Sequence, residues 1–485
     1  MIDIKNLTIE KAAEMMRKGE LTSLDLTLAC LQNIKEKNKE LNIFLEVFEN
    51  DIPECPSALT QARLADEMIK AGKGVKLTGI PIALKDNILL TGRISSAGSK
   101  MLENYRASYD AFVVKKLKEA GVVFIGRTNM DEFAMGSSTE NSAFGPVKNP
   151  INPEYVPGGS SGGSAGAVAS GMALGALGSD TGGSIREPAS FCGIVGMKPT
   201  YGLVSRSGLI AMASSLDQIG PFAKTSEDAK IIFDCIKGKD EKDSTSLDIS
   251  EDLSVEKMAG ENTKTKNGKI IGVPWEWLKE GVDQEVLKNF KDSLNKLSAK
   301  GYQIKEVSLP YALHSLAIYY IIMPAEVSTN LSRLDGVRYG LRKEGKNMFD
   351  TYKKSRSAGF GPETRRRIML GTYVLSHGYY DAYYNKAWKL RHAIGKEFEN
   401  VFKEVDFVAT PTVATTAFKF GAKKDPLAMY LSDIFTAPAN IAGLPSISIP
   451  SGFSLEGLPF GISFNGPLFK DQSLFAIEKD LRENI

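Results

Sequence analysis

The segment PGGSSGGS, Pro157–Ser164, constrains the fold most strongly, because the fourteen residues that follow it, AGAVASGMALGALG, are nearly all small and apolar. In an exposed helix each glycine would cost about 1 kcal/mol relative to alanine. Such a segment is stable only when it is buried, where missing side chains let neighbouring backbones approach closely. We therefore expect a buried helix over residues 165–178. A flexible linker would instead be polar on both sides.

Two common glycine motifs fit the same segment poorly. A phosphate-binding loop needs a lysine directly after its last glycine, and here Ser164 follows Gly163. Residues 158–162 match G-x-S-x-G, the nucleophile elbow of α/β-hydrolases, but the preceding KNPINPEYVP has three prolines and predicts no buried strand. That elbow also needs a histidine base, and His314 and His377 both lie in aromatic segments predicted to be helical. A Ser-His-Asp triad is the weaker alternative, so serine chemistry here needs another base.

A second glycine cluster, SDTGGSIREP, begins at Ser179. Gly182 and Gly183 can adopt positive φ, so the turn Thr181–Ser184 can aim successive backbone N–H groups at one point. Converging N–H donors stabilise the oxyanion that forms when a carbonyl carbon becomes tetrahedral. A tight structural turn is the alternative, but two such clusters joined by one buried segment favour an active site.

The candidate base is Lys85, which ends the apolar run of residues 80–84. A lysine at this position is often the point where a strand reaches water. In a closed, apolar site, burial would favour the neutral amine. To act near pH 7 its pKa must fall by about 3 units from about 10.4, which costs roughly 4 kcal/mol.

The remaining sequence predicts alternating strands and helices. Amphipathic helices are expected at residues 9–18 and 23–35, the second capped by Thr22, and further helices fill about 312–405. Short apolar runs at both ends of the chain predict strands of one sheet built from distant segments. Residues 126–163 form a long loop region, and the charged residues 237–269 a surface excursion.

Composition excludes several classes of protein. The chain has 60 basic and 58 acidic residues, a net charge of +2, which argues against binding nucleic acid through bulk charge. No apolar segment reaches the roughly 20 residues that span a bilayer, and the four cysteines, Cys30, Cys55, Cys192 and Cys235, show no metal-ligand spacing. We expect a cytoplasmic protein with reduced thiols and no metal site.

Three motifs together carry a family resemblance: PIALKDN with Lys85, PGGSSGGS with Ser160, and GSDTGGSIREPASFCGIVGMKPTYG with Ser184. The lysine precedes the first serine by 75 residues, and the second serine follows 24 residues later. This chain is thereby similar to the amidase signature family. The resemblance implies an α/β fold of one large mixed β-sheet wrapped by α-helices, in a single domain over residues 1–485 whose signature core spans about 77–205.

The same resemblance implies the roles of the site residues. Ser184 is the nucleophile, Ser160, after a cis peptide bond, relays its proton, and Lys85 is the final base. Thr181, Gly182 and Gly183 form the oxyanion hole.

The C-terminal part, about residues 312–450, resembles the branch formed by the A subunits of glutamyl-tRNA(Gln) amidotransferases. This resemblance implies a glutamine pocket in which Tyr319 lines the wall, Arg366 binds the carboxylate and Asp433 binds the ammonium group. Arg366 is the middle of three consecutive arginines, and a solvated basic face is its alternative, while a helix cap is the alternative for Asp433. The segment 51–68 is longer, and the tail after Asn465 shorter, than the branch leads us to expect.

The implied function is that of a glutaminase subunit in a heterotrimer with subunits B and C. Ammonia would pass to a partner that amidates Glu-tRNA(Gln), and Asp-tRNA(Asn) is a further substrate to consider. ATP, Mg²⁺ and tRNA would bind to the partner. This chain itself would bind no cofactor and no membrane. A stand-alone amidase and a catalytically silent scaffold are the two alternatives.

Overall fold

The computed structural model describes residues 2–247 and 269–482. Their strands are β1 (Phe44–Val47), β2 (Pro81–Lys85), β3 (Val123–Thr128), β4 (Gly175–Asp180), β5 (Val195–Lys198), β6 (Gln218–Ala223), β7 (Ile270–Val273), β8 (Gln303–Glu306), β9 (Phe407–Pro411), β10 (Ser446–Phe453) and β11 (Pro459–Asn465). These eleven strands form one sheet in the order β1-β3-β2-β4-β6-β5-β10-β11-β9-β7-β8. Pairs β2–β3, β2–β4, β7–β8 and β7–β9 are parallel, and the others are antiparallel. The predicted α/β fold with one mixed sheet is confirmed.

Helices surround this sheet. They are α1 (Ile9–Lys18), α2 (Ser23–Leu41), α3 (Ala58–Lys70), α4 (Phe112–Glu119), α5 (Gly162–Ala169), α6 (Arg186–Cys192), α7 (Ser226–Ile236), α8 (Gln284–Ala299), α9 (Ser315–Asn330), α10 (Met348–Gly359), α11 (Pro362–Val374), α12 (Lys386–Val401), α13 (Pro426–Tyr430), α14 (Ala437–Ala442), α15 (Asp471–Leu474) and α16 (Ile477–Arg482). The predicted cap of α2 is present, since Thr22 Oγ1 accepts a bond from the Asp25 N–H at 3.0 Å. In the described part of the chain, no helix is long and apolar enough to span a membrane.

The small-residue segment is buried as predicted, but the single helix over residues 165–178 is wrong. Helix α5 ends at Ala169, Gly171 turns the chain at φ +72°, and Gly175–Asp180 is the buried strand β4. A β-carbon at Gly178 would lie 2.6 Å from the Phe222 ring and 2.9 Å from Ser161 Oγ. Glycine is therefore required at this position of the strand, because Phe222 and Ser161 occupy the space that a side chain would need.

The predicted surface excursion lies mostly outside the described residues, from 248 to 268. Its beginning, residues 237–247, is described and folds back on the loop after β5, where Asp243 forms an ion pair with Arg206 at 2.7 Å. The four cysteines are free thiols.

Candidate active site

Lys85 lies at the C-terminal end of the central strand β2 and is fully buried. Its Nζ lies 2.8 Å from Ser160 Oγ, 2.8 Å from Ser161 Oγ and 2.9 Å from Ser179 Oγ. Burial lowers its pKa to about 7, although the charges of Asp131, Asp180 and Asp217 each act to raise it. A lysine in this environment is an available base near neutral pH, because it loses its proton there.

Two serines of the glycine-rich segment approach the amine, and their other contacts distinguish them. The Gly159–Ser160 peptide bond is cis. Ser161 donates its hydroxyl proton to the carbonyl of Ser179 at 3.2 Å, so it meets the amine only as an acceptor. Ser160 Oγ has no second protein partner among the described residues. Of this pair, Ser160 is the hydroxyl that can pass a proton to Lys85.

Ser184 lies in the turn between β4 and α6 and is 8% exposed, whereas Lys85 and Ser160 are 0% exposed. Its carbonyl accepts a bond from the Ser161 N–H at 3.3 Å, which joins the two serine segments. Asp180 holds this turn by accepting bonds from the N–H groups of Gly183 and Ile185. Burial alone would raise the pKa of Asp180, but its ion pair with Arg186 lowers it to about 2.

The three N–H groups that the resemblance assigns to an oxyanion hole differ in their bonding. The N–H of Gly183 donates to Asp180 Oδ1 at 2.9 Å, so it is already engaged. In the described part of the chain, the N–H groups of Thr181 and Gly182 have no protein acceptor. The oxyanion hypothesis therefore rests on Thr181 and Gly182, and Gly183 serves instead to shape the turn, at φ +147°.

Tyr319 lies against this turn, and the charge of Asp433 acts on Tyr319. A β-carbon at Gly182 would lie 2.6 Å from the Tyr319 ring, so the tyrosine packs directly on the turn. Asp433 is 6% exposed and accepts bonds from Tyr320 Oη at 3.0 Å and Ser137 Oγ at 3.2 Å. Burial raises the pKa of Asp433 to about 6. An ionised carboxylate in this place suits an ammonium group, because burial strengthens the attraction between opposite charges.

Arg366 and its neighbour Arg367 lie in different environments. Arg366 on α11 is 48% exposed and forms an ion pair with Glu363, whereas the next residue, Arg367, is 3% exposed. Arg367 packs over the rings of Tyr320 and Tyr430, 5.4 Å from each centroid, and its charge lowers the pKa of Asp433 against the effect of burial. The Arg367 Nε also donates at 2.8 Å to Glu363, which lies one helical turn away.

Two further buried carboxyls near the site were not anticipated from the sequence. Asp131 accepts bonds from two backbone N–H groups, and its own N–H donates to the Ser160 carbonyl at 3.2 Å. Glu187, on α6, is fully buried, and neither carboxyl oxygen has a partner in the described residues. Burial and the nearby charge of Asp433 raise the pKa of Glu187 well above its usual range.

Comparisons with known proteins agree with this geometry. The family model named Amidase matches residues 25–475. The A subunit of the glutamyl-tRNA(Gln) amidotransferase from Ruminiclostridium cellulolyticum is 49% identical over 98% of this chain and 96% of its own length, and that from Thermotoga maritima is 47% identical over 100% and 96%. A crystal structure of the Thermotoga protein superposes with a TM-score of 0.79 at 44% identity, covering 100% of this chain and 96% of that one. A crystal structure of an amidase superposes at 0.80 with 27% identity, covering 99% and 100%.

Proposed function

Because the chain belongs to the amidase family, we propose that it is the glutamine-hydrolysing A subunit of a glutamyl-tRNA(Gln) amidotransferase. The contact of the buried Lys85 Nζ with Ser160 Oγ, 2.8 Å, beside the Ser184 turn, carries the chemical part of this proposal. The substrate part is supported by the relatives of that name, which match essentially the whole chain. The alternative is a stand-alone amidase acting on a small carboxamide.

In the proposed mechanism, neutral Lys85 takes the proton of Ser160, which takes the proton of Ser184. Ser184 Oγ then attacks the side-chain carboxamide carbon of glutamine, and the N–H groups of Thr181 and Gly182 stabilise the oxyanion. As the carbon–nitrogen bond breaks, the proton returns through Ser160 to the departing nitrogen, which leaves as ammonia. Water releases glutamate from the resulting glutamyl ester by the same relay.

The proposed pocket places opposite charges at the two ends of the amino acid. Asp433 binds the ammonium group and Arg367 the carboxylate, with Tyr319 between the pocket and the oxyanion turn. Arginine suits this role because its planar fork matches a carboxylate. Ammonia then passes to partner subunits B and C of a cytoplasmic heterotrimer, which bind ATP, Mg²⁺ and Glu-tRNA(Gln), with Asp-tRNA(Asn) as a further substrate of the same kind.

The chain offers a matched pair of arginines with which to test the pocket. Arg367→Lys keeps the positive charge but loses the fork, and we expect the KM for glutamine to rise by roughly 10- to 150-fold, as charge-assisted hydrogen bonds of about 1.5–3 kcal/mol imply. Arg366→Lys, on the exposed side of the same helix, should leave KM within about twofold, since exposed ion pairs contribute little. Steady-state glutamine hydrolysis and thermal unfolding of both variants provide the measurements. Equal KM values for the two variants would contradict the assignment of Arg367.

The proposed function is tested by purifying the native chain with whatever subunits accompany it. We expect two further subunits, glutamine hydrolysis, and glutamine-dependent amidation of Glu-tRNA(Gln). Hydrolysis of simple carboxamides with no preference for glutamine, by the chain alone, would favour the stand-alone amidase.

A further inference from the structure

A loop at residues 131–139, here named the Asp131 loop, touches both the triad and the glutamine pocket. It follows strand β3 and contains three non-glycine residues, Phe133, Ala134 and Thr139, with left-handed φ values of +49°, +62° and +60°. The Asp131 carboxylate fixes its shape by accepting bonds from the N–H groups of Thr139 at 2.9 Å and Asn141 at 3.0 Å. Asp131 is fully buried.

One side of the loop grips the segment that carries Ser160. The Asp131 N–H donates to the Ser160 carbonyl at 3.2 Å. Thr139 Oγ1 donates to the Gly158 carbonyl at 2.8 Å and accepts a bond from the Gly162 N–H at 3.1 Å. A β-carbon at Gly159 would lie only 2.2 Å from Asp131 Oδ2, so the two segments are in direct contact. Ser160 is thus held on both of its flanks by this loop.

The other side of the loop reaches the pocket. Ser137 Oγ donates to Asp433 Oδ1 at 3.2 Å. At the start of the loop, Glu132 accepts bonds from the Gly361 N–H at 2.8 Å and Thr364 Oγ1 at 2.6 Å, at the beginning of α11, which bears Arg367. One buried element therefore supports the proton relay and both charged residues of the pocket.

We propose that Asp131 is a positioning residue of the triad, which holds the Asp131 loop closed on the Ser160 segment and so sets the contact of Ser160 with Lys85. Nothing in this role requires Asp131 to touch substrate. The role is measured through glutamine hydrolysis, so this inference rests on the proposed function.

The charge of Asp131 also raises the pKa of Lys85, so the pH dependence of kcat provides a second measurement of the proposed role. Burial lowers the pKa of Lys85, and the charges of Asp131, Asp180 and Asp217 raise it by less. The charges that act on Asp131 in turn are those of Lys85 and Glu140. Burial raises the pKa of Asp131 to about 6, so it is ionised at neutral pH. Removing its charge lowers the pKa of Lys85 further.

The test is Asp131→Asn, which has the same shape but can accept only one of the two loop N–H bonds. We expect kcat for glutamine to fall by about 10- to 100-fold with KM nearly unchanged, since small misplacements of a catalytic group have effects of this size. The acid limb of the kcat profile should shift to lower pH, which a general loss of structure would not produce. Ser138→Ala, in the same loop, is the control, because the buried Ser138 hydroxyl has no partner among the described residues.

A second pair of variants covers the case in which Asp131→Asn does not fold. Thr139→Ala should lower kcat as well, and Thr139→Ser, which keeps the hydroxyl, should restore it. The inference would be overturned if folded Asp131→Asn had the kcat of the wild type and the same acid limb in its pH profile. It would also be overturned if Thr139→Ala had the kcat of the wild type. If the wild type hydrolyses another amide but not glutamine, the proposed function fails, and the same variants then test the inference on that amide.

Discussion

Replacing Ser184 with alanine is expected to reduce glutamine hydrolysis by roughly a million-fold, to the limit of detection, because loss of a catalytic serine removes the covalent route altogether. The fold should survive, since Ser184 is a small residue in a turn that is held by Asp180. Steady-state glutaminase assays and thermal unfolding check both parts. The control is Ser190→Ala on the neighbouring helix, where the buried hydroxyl has no partner in the described residues.

Added ammonia distinguishes a chemical from a structural cause of the activity lost in Ser184→Ala. Supplied at high concentration to the whole complex, it should restore amidation of Glu-tRNA(Gln) by Ser184→Ala, because the partner subunits then need no glutamine. Failure of ammonia to restore amidation, with the complex intact, would show that Ser184 serves something other than glutamine hydrolysis.

Lys85→Met should lower kcat by at least about a thousand-fold, since the relay then ends without a base. In the wild type, kcat should rise with pH through about 7, where Lys85 loses its proton. An unchanged rate in Lys85→Met would remove the lysine from the mechanism.

The same variant has a pH-dependent effect on stability. The pKa of Lys85 is about 7 in the folded protein, against an ordinary value of 10.5, so the unfolded chain binds the extra proton between these values. The wild type is therefore destabilised by up to about 5 kcal/mol below pH 7, and this cost disappears as the pH rises to about 10.5. The gain in unfolding free energy on Lys85→Met should shrink over that range. Denaturant unfolding of both proteins at several pH values measures it, and a constant difference would show that the lysine is not buried neutral.

Much of the fold, and the contact between Lys85 and Ser160, could be predicted from the sequence. Lys85 ends a continuous apolar run, and the glycine-rich segments indicate close backbone contacts. The division of residues 165–178 into a helix and a strand could not be predicted, because small residues carry no clear period and the outcome depends on which neighbours, such as Phe222, pack against Gly178.

Which of the three consecutive arginines is buried could not be predicted from the sequence, for a related reason. Only the rotation of α11 against its neighbours decides which one is buried, because Glu363 forms an ion pair with both Arg366 and Arg367. Asp131 and Glu187 could not be identified at all, because their contacts join segments that are distant in the chain. The engagement of the Gly183 N–H by Asp180 likewise arises only in the folded turn.

The most direct test of the proposed chemistry is to identify the residue that becomes acylated. The wild-type chain, with its subunits, is mixed with glutamine, quenched in acid within the first turnovers, digested and analysed by mass spectrometry. We predict a glutamyl group on Ser184 that is absent from Ser184→Ala. A glutamyl group on Ser160, or on neither serine during active turnover, would contradict the proposed chemistry.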